Sequence, residues 1–156
     1  MTWLSDMLSN PFLLVSLSSW FIAQVMKVII NFFIHKQWNW ERLFGDGGMP
    51  SGHSATVASL AVYTALACGT GSFQFAVTTI LAIIVCHDAM GVRLETGKQA
   101  IVINEILESL LESLLDTEKL PEVKLKEFVG HTPIQVIAGI LIGAANAAVM
   151  HYLVFA

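Results

Sequence analysis

Four long apolar runs, nearly free of charge, constrain this chain more than any other feature. They extend from Pro11 to about His35, from about Ser51 to Cys68, from about Phe73 to Met90, and from Pro133 to Phe155. Such runs read as helices crossing a hydrocarbon layer of about 30 Å, because a helix satisfies its own backbone inside lipid. The second and third are short for that thickness, so their polar ends are expected near the boundary. Composition agrees. Of 156 residues, 55% are hydrophobic and 13% are charged, with a mean hydropathy of +0.69, whereas soluble domains carry about 25% charged residues. The expectation is an all-α integral membrane bundle of about four transmembrane helices, folded as a single domain over residues 1–156. The first run lacks the basic flank and the small-residue cleavage site of a signal peptide, so it reads as a retained membrane helix. A net charge of −4 offers no basic face for nucleic acid. Cys68 and Cys86 both fall within apolar runs and read as small buried hydrophobes.

The polar residues that interrupt these runs carry the chemistry. Gln24, Lys27 and Asn31 are spaced i, i+3, i+7 and form one stripe on the first helix. A lysine well inside a membrane helix is costly and faces a protein interior by default. After it comes a loop holding Lys36, Trp38, Trp40 and Arg42, an interfacial mixture. Gly47-Gly48-Met49-Pro50-Ser51-Gly52-His53-Ser54-Ala55 then opens the second helix. Its glycines expose backbone N–H groups, and Pro50 and Ser51 suit the first helical positions, where a hydroxyl caps orphan amides. Such a helix start is an anion site, and His53 adds a group that exchanges a proton near neutrality. Ser54, Ala58, Ala61 and Ala65 give this helix a face suited to close packing.

The third helix ends in His87-Asp88-Ala89-Met90-Gly91-Val92-Arg93, with Lys98 beyond. Gly97 marks an expected break. An amphipathic helix is then expected from Ala100 to Leu115, with Ile103, Leu107, Leu110, Leu111 and Leu114 opposite Glu105, Glu108 and Glu112. Asp116 to Pro121 reads as a turn, and Glu122 to Val129 as a short charged helix stopped by Gly130. Gly130-His131-Thr132-Pro133 repeats the device of the second helix, with Thr132 as N-cap and Pro133 as first helical residue. Gly139, Gly143 and Ala147 form a small-residue seam that could serve a homodimer as easily as the monomer.

All eight Lys and Arg residues fall on one side of this topology. The positive-inside rule makes that side cytoplasmic, with both termini outside the cell membrane. The same side gathers Lys27, Ser51, Gly52, His53, Asp88, Arg93, Lys98 and His131. Helix N-termini, cations, two histidines and a carboxylate are the groups needed to hold a phosphate while one histidine attacks and another protonates the leaving oxygen. His87, Asp88 and Glu105 have no recognised ligand spacing, so neither a metal nor another cofactor is expected.

Pro50-Ser51-Gly52-His53 resembles the central motif of the type 2 phosphatidic acid phosphatase superfamily, which includes lipid phosphate phosphatases, bacterial acid phosphatases and vanadium haloperoxidases. His131, followed by Gln135-Val136-Ile137-Ala138-Gly139 and then Gly143, is similar to its closing motif, His-x-x-x-Asp-Val-x-x-Gly-x-x-x-Gly. Lys27 stands where the first-motif lysine would. Over nearly its whole length the chain resembles a small bacterial and plastid membrane family, a divergent branch of that superfamily. The resemblance implies His131 as nucleophile, His53 as general acid/base, and Lys27, Ser51 and Gly52 as phosphate ligands. Three departures stand out. Leu125, between Lys124 and Lys126, replaces an arginine; the first-motif Arg-Pro is absent; and Gln135 replaces the aspartate that would orient the nucleophile. Arg93 and Lys98 are candidates for the missing positive charge, and Asp88 for the orienting group. The expected activity is metal-independent hydrolysis of a lipid phosphate or diphosphate monoester at the cytoplasmic face, through a phosphohistidine. The alternative is a non-catalytic membrane protein that binds or transports phosphate or lipid with the same cradle.

Overall fold

The computed structural model describes residues 2–36, 38, 47–113, 125 and 129–155, and every regular element among them is a helix. In chain order these are α1 (Trp3–Leu8), α2 (Pro11–His35), α3 (Gly52–Cys68), α4 (Phe73–Met90), α5 (Val92–Ser113) and α6 (Pro133–Leu153). The expected turn at Asp116–Pro121 lies outside the described residues, as do Trp40, Arg42, Lys119 and most of the expected helix Glu122–Val129.

The four apolar runs become α2, α3, α4 and α6, and their starts follow from capping. Asn10 Oδ1 accepts the N–H groups of Phe12 at 2.9 Å and Leu13 at 3.3 Å, with Pro11 at the first helical position. Ser51 Oγ accepts Ser54 N–H at 3.3 Å, and Ser72 Oγ accepts Phe75 N–H at 3.2 Å. Each cap satisfies amides that have no intrahelical partner. By length and composition, three helical stretches among the described residues can cross a membrane: Pro11–Ile34, Phe73–Leu110 across α4 and α5, and Pro133–Leu153. α3, at 17 residues, is shorter, and it occupies the centre, packed against α2, α4 and α6.

Two sequence expectations are corrected here. No break occurs at Gly97: α5 starts directly after Gly91 and runs through it, with Gly97 buried. One glycine costs a helix about 1 kcal/mol, and good helix formers surround it, with Lys98 paired to Glu95 at 2.7 Å. The cysteines are not core residues either. Cys68 is exposed and Cys86 half-buried, on helices whose outer faces carry apolar side chains such as Phe73, Ile80 and Ile84. In a membrane protein those faces meet lipid, so an apolar run does not distinguish inside from outside. The short helix α1 was not expected from the sequence. It is exposed along its length, Trp3 included.

The tightest contact joins α3 to α6. Gly139 lies against the Ser51 carbonyl and Gly143 against the Ala55 carbonyl, with Ser59 N 3.0 Å from where a Gly143 Cβ would stand. The row of α3 that meets the α6 seam is therefore Ser51, Ala55 and Ser59. The expected row of Ser54, Ala58, Ala61 and Ala65 is offset from it, although Ser54 also lies against Gly139. Near the other end, Asn146 Nδ2 reaches Ser19 Oγ at 2.8 Å, Ser18 Oγ at 2.9 Å and the Val15 carbonyl at 3.3 Å, fastening α6 to α2. Beside it, Val15, Tyr63 and Ala147 form a buried apolar cluster.

A methyl group at position 143 would overlap a main-chain carbonyl that cannot rotate away. Gly143→Ala should therefore cost about 1–3 kcal/mol, the range for overpacking a close-packed site. Thermal unfolding of the purified protein in detergent would show it as a lowered midpoint, whereas Gly71→Ala, which meets open space, should not.

Candidate functional site

The row of α3 that meets α6 ends, at Ser51, in a site built from main-chain pairing. Ser51 N–H donates to the Gln135 carbonyl at 3.0 Å, which ties the start of α3 to the first turn of α6. His131 N–H donates to the Ala89 carbonyl at 2.9 Å, which fastens the residue before α6 to the end of α4. Gly130, at φ +86°, makes this approach possible, because a side chain there would collide with the main chain of Arg93 and Leu94. His131 is thereby pinned from two sides and is only 2% exposed.

One residue sets the state of its ring. Gln135 Oε1 lies 3.1 Å from Thr132 N and 3.2 Å from His131 Nδ1. Thr132 N–H can only donate, so the oxygen of the carboxamide faces it and also accepts from Nδ1. The proton of a neutral ring therefore sits on Nδ1. Nε2 is left with its lone pair, buried and without a hydrogen-bond partner. Burial lowers the His131 pKa below its ordinary 6.5, and neighbouring Lys27 and His53 push the same way. The hydrogen bond with Gln135 and the nearby Gly48 main chain oppose these effects without reversing them. The neutral form of the ring is therefore favoured, with Nδ1 facing Gln135 and Nε2 buried.

The other sequence-derived residues divide into two groups. The His53 ring is exposed, with its centroid 6.3 Å from that of His131 at an interplanar angle of 60°. Lys27 is 5% exposed and lines, with Asn31, Gly47, Gly48 and Gln135, a cleft of about 220 Å³. Gly52 is buried in the first turn of α3, near Trp20 and Gln24 of α2. Ser51 is fully buried, its hydroxyl accepting from Ser54 N and Ser54 Oγ and its amide spent on Gln135. Its observed work is to cap and to cross-link.

Asp88, Arg93 and Lys98 take ion-pair partners at the end of α4 and the start of α5. Asp88 accepts from Arg93 Nε at 2.6 Å at the partly exposed end of α4. Lys98 pairs with Glu95 on the exposed side of α5. The acceptor at His131 Nδ1 is thus the Gln135 carboxamide, not the Asp88 carboxylate. Gln135 takes at His131 the place that the sequence offered to Asp88 as a candidate orienting group. An amide oxygen accepts the same proton, but it adds no negative charge to hold an imidazolium.

Sequence reasoning passed over Asn104. Its side chain donates to the Leu125 carbonyl and accepts from Leu125 N–H, both at 3.0 Å, and it is 5% exposed. This two-point grip imitates a β-ladder pair and fixes the chain six residues before His131. An asparagine on an amphipathic helix carries no sequence signal for such a contact.

The depressed His131 pKa makes stability fall as pH drops. Above 6.5 the ring is neutral in both the folded and unfolded states; below it the unfolded chain takes up a proton that the folded site resists. Melting temperature measured between about pH 8 and about pH 5 should decline below that point, less steeply in His131→Gln. In ¹⁵N-histidine spectra, the His131 signal should report a neutral ring protonated on Nδ1, a preference lost in Gln135→Leu.

Residues 8–146 match the model of a family described as the divergent PAP2 family. The chain is also 39% identical over 154 residues to "Uncharacterized membrane protein YuiD" of Bacillus subtilis (strain 168), an alignment covering 94% of this chain and 98% of that protein. No solved structure matches it. The motifs around Ser51 and His131 and the membrane-length helices accord with both relationships, and the chain belongs to the divergent PAP2 family of membrane proteins.

Proposed function

We propose that this protein is a membrane phosphatase that hydrolyses a lipid phosphate monoester through a phosphohistidine on His131. The observation that carries the reading is the buried, unpartnered Nε2 lone pair, aligned by Gln135 and accompanied by Lys27 and His53. A buried nitrogen that accepts no hydrogen bond costs stability, and a catalytic role is one reason a fold retains such a group.

In the proposed sequence, Lys27 and the amides at Gly47 and Gly48 hold the phosphate oxygens and stabilise the charge that spreads over them. The Nε2 lone pair attacks phosphorus and forms the N–P bond as the P–O bond to the leaving group breaks. His53 delivers its proton to the departing oxygen. Neutral His53 then removes a proton from water, the resulting hydroxide attacks phosphorus, and the N–P electrons return to Nε2. Inorganic phosphate leaves, and both rings recover their starting states. No metal enters this scheme. Because Gln135 supplies no negative charge, it orients the ring without favouring its protonation as a carboxylate would. The basic residues are assigned to the cytoplasmic side by the positive-inside rule, with the site on the inner leaflet of the cell membrane. The apolar exterior favours a lipid over a soluble substrate, since the tail can remain in the bilayer.

Purified protein should release phosphate from lipid phosphates and be inhibited by vanadate. His131→Ala should remove at least about a thousandfold of the rate, the scale expected for a lost covalent nucleophile. His53→Ala should cost about 10²–10⁴-fold, with the deficit smaller for substrates whose leaving groups need no proton. Undiminished turnover in His131→Ala would refute the assignment. Saturable phosphate binding with no hydrolysis of any lipid phosphate would favour a binding or transport protein instead.

A further inference from the structure

Past Met90 the chain leaves the bundle. α4 has 18 residues, about 27 Å at 1.5 Å per residue and close to the hydrocarbon thickness of about 30 Å. α5 carries the helix on beyond that layer: Gly91 N–H donates to the His87 carbonyl at 2.9 Å, and Glu95 N–H to the Gly91 carbonyl at 3.0 Å. Among the described residues, α5 packs against no helix but α4. One row of it, Gly97, Ala100 and Asn104, is buried, and Asn104 holds the Leu125 main chain.

A second row is open. Val92, Thr96, Gln99, Ile103, Ile106 and Leu110 follow one another at alternating steps of four and three residues, the spacing of a coiled-coil seam. Ile103, Ile106 and Leu110 are 44%, 52% and 51% exposed, with Val102 beside them at 53%. Glu105 and Glu108 lie on the other side of the helix, at 100° per residue. A shallow groove on the same surface is lined by Lys98, Gln99, Val102 and Ile103. The last three, with Ile106, are the residues that form, in a parallel pair in register, the hole entered by the facing Ile103.

A membrane surface is a poor occupant for this row. Beyond Lys98 the only charged residues of α5 are Glu105, Glu108 and Glu112, the wrong sign for an anionic leaflet. A second copy of the chain fits. Copies of one sequence insert with one topology, so their α5 helices emerge parallel and at the same height, which sets Ile103 against Ile103. The small-residue seam of α6 is already filled by α3 of the same chain.

We propose that α5 is an oligomerisation helix: Ile103 and Ile106 pack against the same residues of a second copy, in a short parallel two-stranded coil. The coil stands at the membrane face where His131 meets the end of α4. This assignment is independent of the phosphatase reading.

The test uses the full chain carrying Cys68→Ser and Cys86→Ser, at low density in phosphatidylcholine liposomes. Oxidation should cross-link Ile103→Cys, and separately Ile106→Cys, to the same residue of a second copy. Facing seam residues come within disulfide range, about 6 Å between Cα atoms, so Glu105→Cys should cross-link at least about tenfold less. In single-molecule photobleaching of the chain labelled at its N-terminus, two-step traces should dominate. Ile103→Asp combined with Ile106→Asp should convert them to one-step traces with helical circular dichroism unchanged, since both side chains are open. One-step traces from the chain without these aspartates would overturn the proposal. So would oligomers that persist in the double variant, or equal cross-linking at 103, 105 and 106. If the double variant loses its helicity, the cross-linking pattern decides by itself.

Discussion

The arrangement depends on two helices touching main chain to main chain. Where Gly139 and Gly143 of α6 meet the Ser51 and Ala55 carbonyls of α3, no side chain intervenes. Inside a bilayer the hydrophobic effect does not drive helices together, so close van der Waals approach of small residues becomes the main attraction. That approach also brings Gln135 within hydrogen-bonding distance of Ser51, which links the two segments rich in reactive groups. A larger residue in the seam would therefore disturb the imidazole pair as well as the bundle.

Gln135 links the scaffold to the chemistry. Its main-chain carbonyl holds α3, while its side-chain oxygen closes the first turn of α6 and receives the His131 ring proton. Burial and the nearby Lys27 keep that ring neutral, and a neutral ring is one that can attack. The cationic surroundings that would hold an anion thus also favour the lone pair. Asp88 and Arg93 pair across the junction of α4 and α5, where the Arg93 main chain lies against Gly130.

The four apolar runs were legible with their boundaries because membrane length and capping chemistry are local. Pro11 after Asn10, Ser51, Ser72 and Pro133 all mark helix starts within a few residues of sequence. Lys27 on an inward stripe was legible too, since its burial follows from the cost of a charge in lipid. The face of α3 that meets α6 was not. Small residues surround that helix on every side, so its periodicity could not choose Ser51, Ala55 and Ser59 over the neighbouring row. The uninterrupted α5 was missed because Gly97 looked like a stop, and its flanking residues outweigh one glycine.

Residue chemistry read along one dimension was enough to indicate helical membrane runs, histidines at two helix mouths and a resemblance to the divergent PAP2 family, which the family match shows. Those properties follow from hydropathy, capping and motif, which operate over a few neighbouring positions. Which partner each polar group takes was settled by folding: Gln135 with His131, Asp88 with Arg93, Asn104 with Leu125. Each of these groups had several acceptable partners in the linear chain. Only the approach of α3, α4 and α6 in space brought one within about 3 Å, the range over which a hydrogen bond forms.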